Sequence, residues 1–193
     1  LGGGGTGTPA LLHALRSAQL QGMIGAAHVK LHGRDEQRMR RLRDYSLSTL
    51  PDRHARSEAF ASTAASRLVS LTVSIHIDIA AAMSSATHVL CMVRPGGMGA
   101  RAGDEELALA AGVPADEGLA VGGLRCFLRG RRVIQELAER CSRHAPRAFV
   151  LQMSSPLGLN VAVTRAACGT QAFGVCELPA TTAQALAQEV DAA

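Results

Sequence analysis

Tryptophan is absent, tyrosine occurs once, and aromatic residues amount to 3% of the chain. Proteins that hold nucleic acid by base stacking need aromatic platforms interleaved with basic residues, so that function class is disfavoured. Lysine is nearly absent too, Lys30 being the only one, and the net charge of +4 rests on arginine. Arginines act in anion recognition as planar forks and elsewhere solubilise helix faces. No apolar run approaches the roughly 20 residues of a membrane-spanning helix, and no charged segment leads into an apolar core as in a signal peptide. A cytoplasmic protein is expected, with neither nucleic acid nor membrane as partner. The five cysteines, Cys91, Cys126, Cys141, Cys168 and Cys176, are odd in number and show no C-x-x-C spacing, which disfavours a disulfide framework and a self-contained zinc knuckle. An initial methionine is missing as well, and only Leu1 stands where a strand should precede a glycine loop. The sequence therefore reads as a fragment or late-start product without its first strand.

What is present is an ordinary globular composition, 47% hydrophobic and 19% charged over 193 residues, enough to bury a substantial core. The chain opens with Leu1-Gly2-Gly3-Gly4-Gly5-Thr6-Gly7-Thr8-Pro9. A glycine run feeding into a helix lets the backbone approach a bulky anion, and the first helical N–H groups point outward unpaired. A dinucleotide pyrophosphate is held in this way; a flexible glycine-rich tail is the alternative. Thr8 is expected as N-cap and Pro9 as first helical residue, with Leu11, Leu15 and Ala18 on one face.

Further along, residues 28–32 read as a short strand ending at Gly33, and 35–44 as a charged helix. Residues 46–65 read as a connection with part of a helix. Strands are expected at 71–77, 87–93, 148–153 and 171–175. Helices are expected at 80–84, 104–111, 123–143, 160–167 and from 182 onward. The acidic trio Asp104, Glu105 and Glu106 suits a helix N-terminus, and Leu124, Phe127, Leu128, Ile134, Leu137 and Cys141 form a stripe of helical period. Strands alternating with helices, most of the strands apolar throughout, indicate a parallel sheet covered on both faces. With the glycine loop, the expected architecture is α/β, a Rossmann-like doubly wound fold occupying residues 1–193. In such a fold ligands gather beyond the carboxyl ends of the strands. Gly33, Asp78, Arg94 to Gly97, Ser154 to Pro156, and Cys176-Glu177 all fall at those ends.

The glycine loop, then Arg94-Pro95-Gly96-Gly97 with Arg101 and Asp104-Glu105, then Glu117 ahead of Gly122-Gly123, then Leu151 to Pro156, then Gly174-Val175-Cys176, together resemble glycoside hydrolase family 4. That family contains NAD- and manganese-dependent 6-phospho-glucosidases and related α-galactosidases. The resemblance covers the amino-terminal half or so of a typical member and leaves out the carboxy-terminal catalytic and oligomerisation domain. It implies glycosidic bond cleavage by redox-assisted elimination, unlike the two-carboxylate displacement of most glycosidases. NAD and a divalent metal are the implied cofactors, a sugar or sugar phosphate the implied partner, and a homo-oligomer the implied assembly of a full-length protein.

Residue by residue, the resemblance assigns Gly2, Gly3, Gly4, Gly5, Thr8 and Asp78 to the cofactor. Arg94 falls in the loop between cofactor and sugar, and Glu117 near the nicotinamide ribose. Arg101 and Ser155 match substrate contacts, Cys176 a metal ligand, and Glu177 the acid that protonates the leaving group. Each has a plainer alternative: a buried strand-end thiol for Cys176, a solvated carboxylate for Glu177, a helix-flanking surface role for Glu117, and an ion pair with Asp104 or Glu105 for Arg101. Departures from the family pattern are equally specific. Gly33 stands where members carry an aspartate for the adenosine ribose, with Arg34 beside it. Ser155-Pro156 replaces Asn-Pro, and Asp116-Glu117-Gly118 replaces Gln-Glu-Thr. The sole tyrosine, Tyr45, matches no catalytic base, so that base and the metal's partner histidine are expected downstream of Ala193. A catalytically silent nucleotide-binding module is the reading from a different class. A lactate- or malate-type dehydrogenase is disfavoured, because its Asp-Arg and histidine pattern is missing.

Overall fold

A computed structural model of the chain describes residues 1–50, 70–118, 120–168 and 171–191. They form two compact units, 1–84 and 85–193, each built of parallel strands followed by helices. Most of the segment expected as a connection, 51–65, lies outside the described residues.

In the first unit, β1 (Ala27–His32) pairs in parallel with β2 (Leu71–His76), in register from Ala27 opposite Leu71 to His32 opposite His76. Both strands alternate. His28, Lys30 and His32 share a face with Thr72, Ser74 and His76, and Val29, Leu31, Val73 and Ile75 take the other. On the polar face Ser74 Oγ lies 2.7 Å from His28 Nε2 and 2.8 Å from His76 Nε2. Lys30 Nζ donates to the carbonyls of Ala81 and Ser84 at 3.3 and 2.7 Å, satisfying the open end of α3 (Ile79–Met83). Asp78 caps the other end of that helix, accepting from the backbone N–H groups of Ala80 and Ala81.

Helix α1 (Thr8–Leu20) begins one residue earlier than expected, with Gly7 at the cap position and Thr8 as its first residue. Thr8 is thus not an N-cap. Its buried hydroxyl donates instead to the Gly3 carbonyl at 3.0 Å, pinning the glycine loop. The buried face of the helix runs through Thr8, Leu12 and Gln19, offset from the expected Leu11, Leu15 and Ala18. Gln19 Nε2 donates to the carbonyls of Gly25 and Ser70, which ties α1 to the starts of both strands. Helix α2 (Glu36–Thr49), capped by Asp35, adds Met39 to the core.

In the second unit β3 (His88–Cys91), β4 (Phe149–Gln152) and β5 (Ala172–Gly174) form a parallel sheet in that order. One face, with Val89, Cys91, Val150, Gln152 and Ala172, is buried. On the other, the rings of His88, Phe149 and Phe173 lie in a row, with centroids 5.6 and 6.1 Å apart. Helices α4 (Gly97–Ala110), α5 (Val121–His144), α6 (Leu157–Cys168) and α7 (Leu178–Asp191) follow the strands, α4 and α6 both packing on α5. Helix α4 starts seven residues before the expected Asp104, because Gly96 takes up φ +89° and turns the chain straight into it. The acidic trio therefore sits inside the helix, away from its positive end. The buried side of α5 is Gly122, Gly123, Cys126, Gly130, Ile134, Ala138 and Cys141. Of the expected stripe Ile134 and Cys141 are buried, whereas Leu124 and Leu128 are 52% and 63% exposed. Burial pushes the Cys141 thiol up to about 12, which makes it an inert packing group.

The glycine loop lies against the end of β1. Gly2 and Gly3 both donate to the His32 carbonyl, at 3.0 and 2.8 Å, and a Cβ on Gly3 would stand 2.9 Å from Leu31 Cβ and 3.2 Å from the His32 nitrogen. Neither neighbour is the end of a flexible chain. Gly3→Ala is expected to destabilise the protein by about 1–3 kcal/mol through overpacking. Gly25→Ala, which meets nothing within 4 Å, is expected to be neutral or stabilising by up to about 1 kcal/mol. Urea unfolding midpoints check both, and equal midpoints would contradict the tight seat of the loop.

Candidate functional site

In each unit the chemistry-bearing residues lie just past the strand ends. Arg94 follows β3 and Ser155 follows β4, while Cys176 and Glu177 follow β5. In the first unit Gly33 follows β1, and Asp78 follows β2.

The second unit draws four of the expected residues together. Arg94 forms an ion pair with Glu117, Arg101 Nε lies 3.3 Å from the same carboxylate, and the nearby Ser155 side chain helps to favour its charged form. Glu117 is thus the carboxylate that the two arginines share. Arg101 Nε also donates to Glu105 at 2.6 Å, one turn along α4. Among the described residues its hydrogen bond and ion pairs use Nε, which leaves the outer edge of the guanidinium to a further acceptor. Around these groups Asp116, Gly122 and Cys126 complete a shallow depression. Cys126 Sγ reaches the Ser155 carbonyl at 3.6 Å.

The turn carrying Ser155 is fixed from beneath by a buried chain of hydrogen bonds. Gln152 Nε2 donates to Thr164 Oγ1 and its Oε1 accepts from the Ser154 N–H, both at 3.2 Å. Asn160 Nδ2 donates to the Ser154 carbonyl at 3.0 Å, and Thr164 Oγ1 to the Asn160 carbonyl at 2.7 Å. The Ser155–Pro156 bond is cis.

Asp104 belongs to a second, buried pair. Its two oxygens accept from Arg129 at 2.9 and 2.5 Å, and Arg125 Nε stands 3.6 Å away. Arg129 is the residue that sequence reasoning missed; nothing marks it out among the arginines of α5. Charge sets the protonation of the group. The Arg129 hydrogen bond holds the Asp104 carboxyl below its usual range. For Glu117 burial pushes upward, but the hydrogen bond and charge of Arg94, helped by Arg101 and Ser155, outweigh it and the net direction is down. Both carboxyls are ionised at neutral pH, and the Glu105 hydrogen bond raises Arg101 further.

The glycine loop of the first unit has spent the N–H groups of Gly2, Gly3, Gly5 and Thr8 on backbone carbonyls. Those of Gly4, Thr6 and Gly7 have no backbone partner among the described residues. A Cβ on Gly33 would lie 3.0 Å from Met39 Sδ and 3.5 Å from the Gly4 nitrogen. Met39, fully buried, thus packs its sulfur closely beside Gly33. Cys176 is exposed and free, Glu177 is exposed, and among the described residues no three His, Cys, Asp or Glu gather as metal ligands. No helix among them is long and apolar enough to cross a membrane.

The first unit thus carries a glycine loop against the end of β1, and the second an arginine–glutamate group beyond β3. The chain belongs to the family described as "Family 4 glycosyl hydrolase", whose profile matches residues 1–192. Among solved structures it is similar to the 6-phospho-beta glucosidase from Thermotoga maritima with NAD and glucose-6-phosphate, at 22% identity and a TM-score of 0.78, over 98% of this chain and 42% of that one. It is also similar to a 6-phospho-alpha-glucosidase from gut microorganisms in complex with NAD and Mn2+, at 22% identity and a TM-score of 0.74, over 92% of this chain and 38% of that one. These likenesses establish the Rossmann-like α/β fold, and the chain spans about two fifths of the length of those proteins. A comparison with curated proteins finds no match.

Because the folded-state values of Asp104 and Glu117 are depressed, their pairs contribute stability above the ordinary carboxylate range of about pH 4. That stability is lost as pH falls through the depressed values. Thermal unfolding between about pH 2 and 7 should therefore show a steep acid limb. Asp104→Asn should lower stability at neutral pH by about 3 kcal/mol and flatten that limb. Parallel wild-type and variant curves would contradict the assignment.

Proposed function

We propose that this chain is the nucleotide-binding portion of a glycosidase that acts on a phosphorylated sugar. The observation that carries the reading is the convergence of Arg94, Arg101 and Ser155 on Glu117, in a chain of this family. An arginine fork with its outer edge open suits a phosphate, whose oxygens accept two parallel hydrogen bonds.

Gly2, Gly3, Gly4, Gly5 and Thr8 fit a dinucleotide: the loop is tight, its third residue has no room for a Cβ, and N–H groups at the start of α1 remain unspent. NAD supplies hydride acceptance and return when bound. Asp78 holds the end of the loop leading into α3 through its cap. In the second unit Arg94 and Glu117 frame the sugar site, Arg101 and Ser155 bind the sugar phosphate, and Glu177 supplies the proton for the departing group. For the metal the described residues do not make a complete site, Cys176 being a single sulfur ligand. The chain's contribution to manganese is that one thiolate, and no step is derived through it.

Calorimetry on the protein expressed from its own gene tests this reading. Arg101→Gln should weaken glucose 6-phosphate binding by about ten- to a hundredfold, and an unchanged affinity would remove Arg101 from the substrate site. Cys176→Ser should weaken manganese binding by at least about tenfold, and an unchanged manganese titration would refute the ligand assignment.

A further inference from the structure

Arg129 makes contacts that the proposed binding residues do not. From α5 its Nε donates to the Pro95 carbonyl at 3.1 Å, while its two terminal nitrogens grip both oxygens of Asp104. Pro95 lies in the loop between β3 and α4, one residue after Arg94. Asp104 is on α4, three residues after Arg101 and therefore on the same side of that helix. One planar guanidinium thus spans the loop that presents Arg94 and the helix that presents Arg101.

The surrounding backbone is shaped to this contact. Gly96, at φ +89°, passes so close that a Cβ would stand 2.9 Å from Arg129 Nε and 2.5 Å from Ala100 Cβ. The next residue on α5, Gly130, leaves room for the Pro95 ring, whose Cγ a Cβ there would meet at 3.2 Å. The Asp104 side chain is 7% exposed and that of Arg129 27%, so the pair is shielded from water and its geometry is held firmly.

Resting on the reading of Arg94 and Arg101 as the anion-binding pair, we propose that Arg129 is the positioning residue of this site: it locks the 94–97 loop and α4 onto α5 and so sets the spacing of the two guanidinium groups around Glu117. Its charge alone is not what matters. A lysine keeps the charge but offers a single nitrogen, and cannot serve Pro95 and both Asp104 oxygens at once.

The test uses the protein expressed from its own gene, with glucose 6-phosphate as probe. Arg129→Lys should weaken binding by at least about tenfold, as should Arg129→Gln. Arg125→Gln, which touches Asp104 and the Gly103 carbonyl but not Pro95, should bind within about twofold of wild type. In a double-mutant cycle, Arg129→Lys should cost clearly less once Arg101 is Gln than in the wild-type background, because only Arg94 is then left to be positioned; fully additive losses would mark a merely structural role and overturn the proposal. A second measurement stands apart from the substrate. Amide hydrogen exchange at Gly97 and Ala100, which donate to the Arg94 and Gly96 carbonyls, should accelerate by at least about tenfold in Arg129→Lys, with β4 amides unchanged. If wild type does not bind glucose 6-phosphate, the proposed substrate is wrong, and exchange at these two amides still decides whether Arg129 holds the loop. Unchanged exchange there overturns the proposal.

Discussion

The second unit depends on a buried charge that must be answered. Asp104 sits inside α4 with its carboxylate nearly excluded from water, and an isolated charge in that position costs several kcal/mol. Arg129 answers it with two parallel hydrogen bonds, and because a guanidinium has a third edge, the same group takes the Pro95 carbonyl. A requirement for neutralisation thereby becomes a geometric constraint on the loop after β3. The rest of the site follows from that loop: Arg94 reaches Glu117, Glu117 draws in Arg101 and Ser155, and Ser155 is held in place by the hydrogen-bonded floor under the turn after β4.

The first unit obeys a different constraint, the close approach of backbone to backbone. Glycines at positions 2 and 3 let the loop bond directly to the last carbonyl of β1, and Thr8 locks the turn from the helix side. The crowding extends to position 33, where a Cβ would stand 3.0 Å from the sulfur of the buried Met39 on α2.

Much of this was legible in the sequence because its signals are local. Alternation of β-branched runs with helical patterns located all five strands, and the polar residues singled out beyond β3 and β4 include Arg94, which pairs with Glu117. The failures have physical causes. The sequence places α4 only from Asp104, whereas the left-handed Gly96 caps a helix that begins at Gly97. The leucines of α5 suggest its buried face, but α5 packs largely through glycines and cysteines, whose close approach leaves little apolar periodicity. Thr8 before a proline suggests a cap, and its hydroxyl instead takes a partner five residues back. Arg129 was invisible for another reason: its partners lie 25 and 34 residues away, and among the arginines of α5 no residue type distinguishes the one that spans a loop and a helix.

Recognition of a sugar phosphate by the arginine pair around Glu117 can be read from the calorimetric affinities of wild-type protein for glucose 6-phosphate and for glucose, compared at one pH and salt concentration. A preference for the phosphorylated sugar of at least about thirtyfold is expected, corresponding to roughly 2 kcal/mol for a charge-assisted fork. Equal affinities for the two sugars would contradict it.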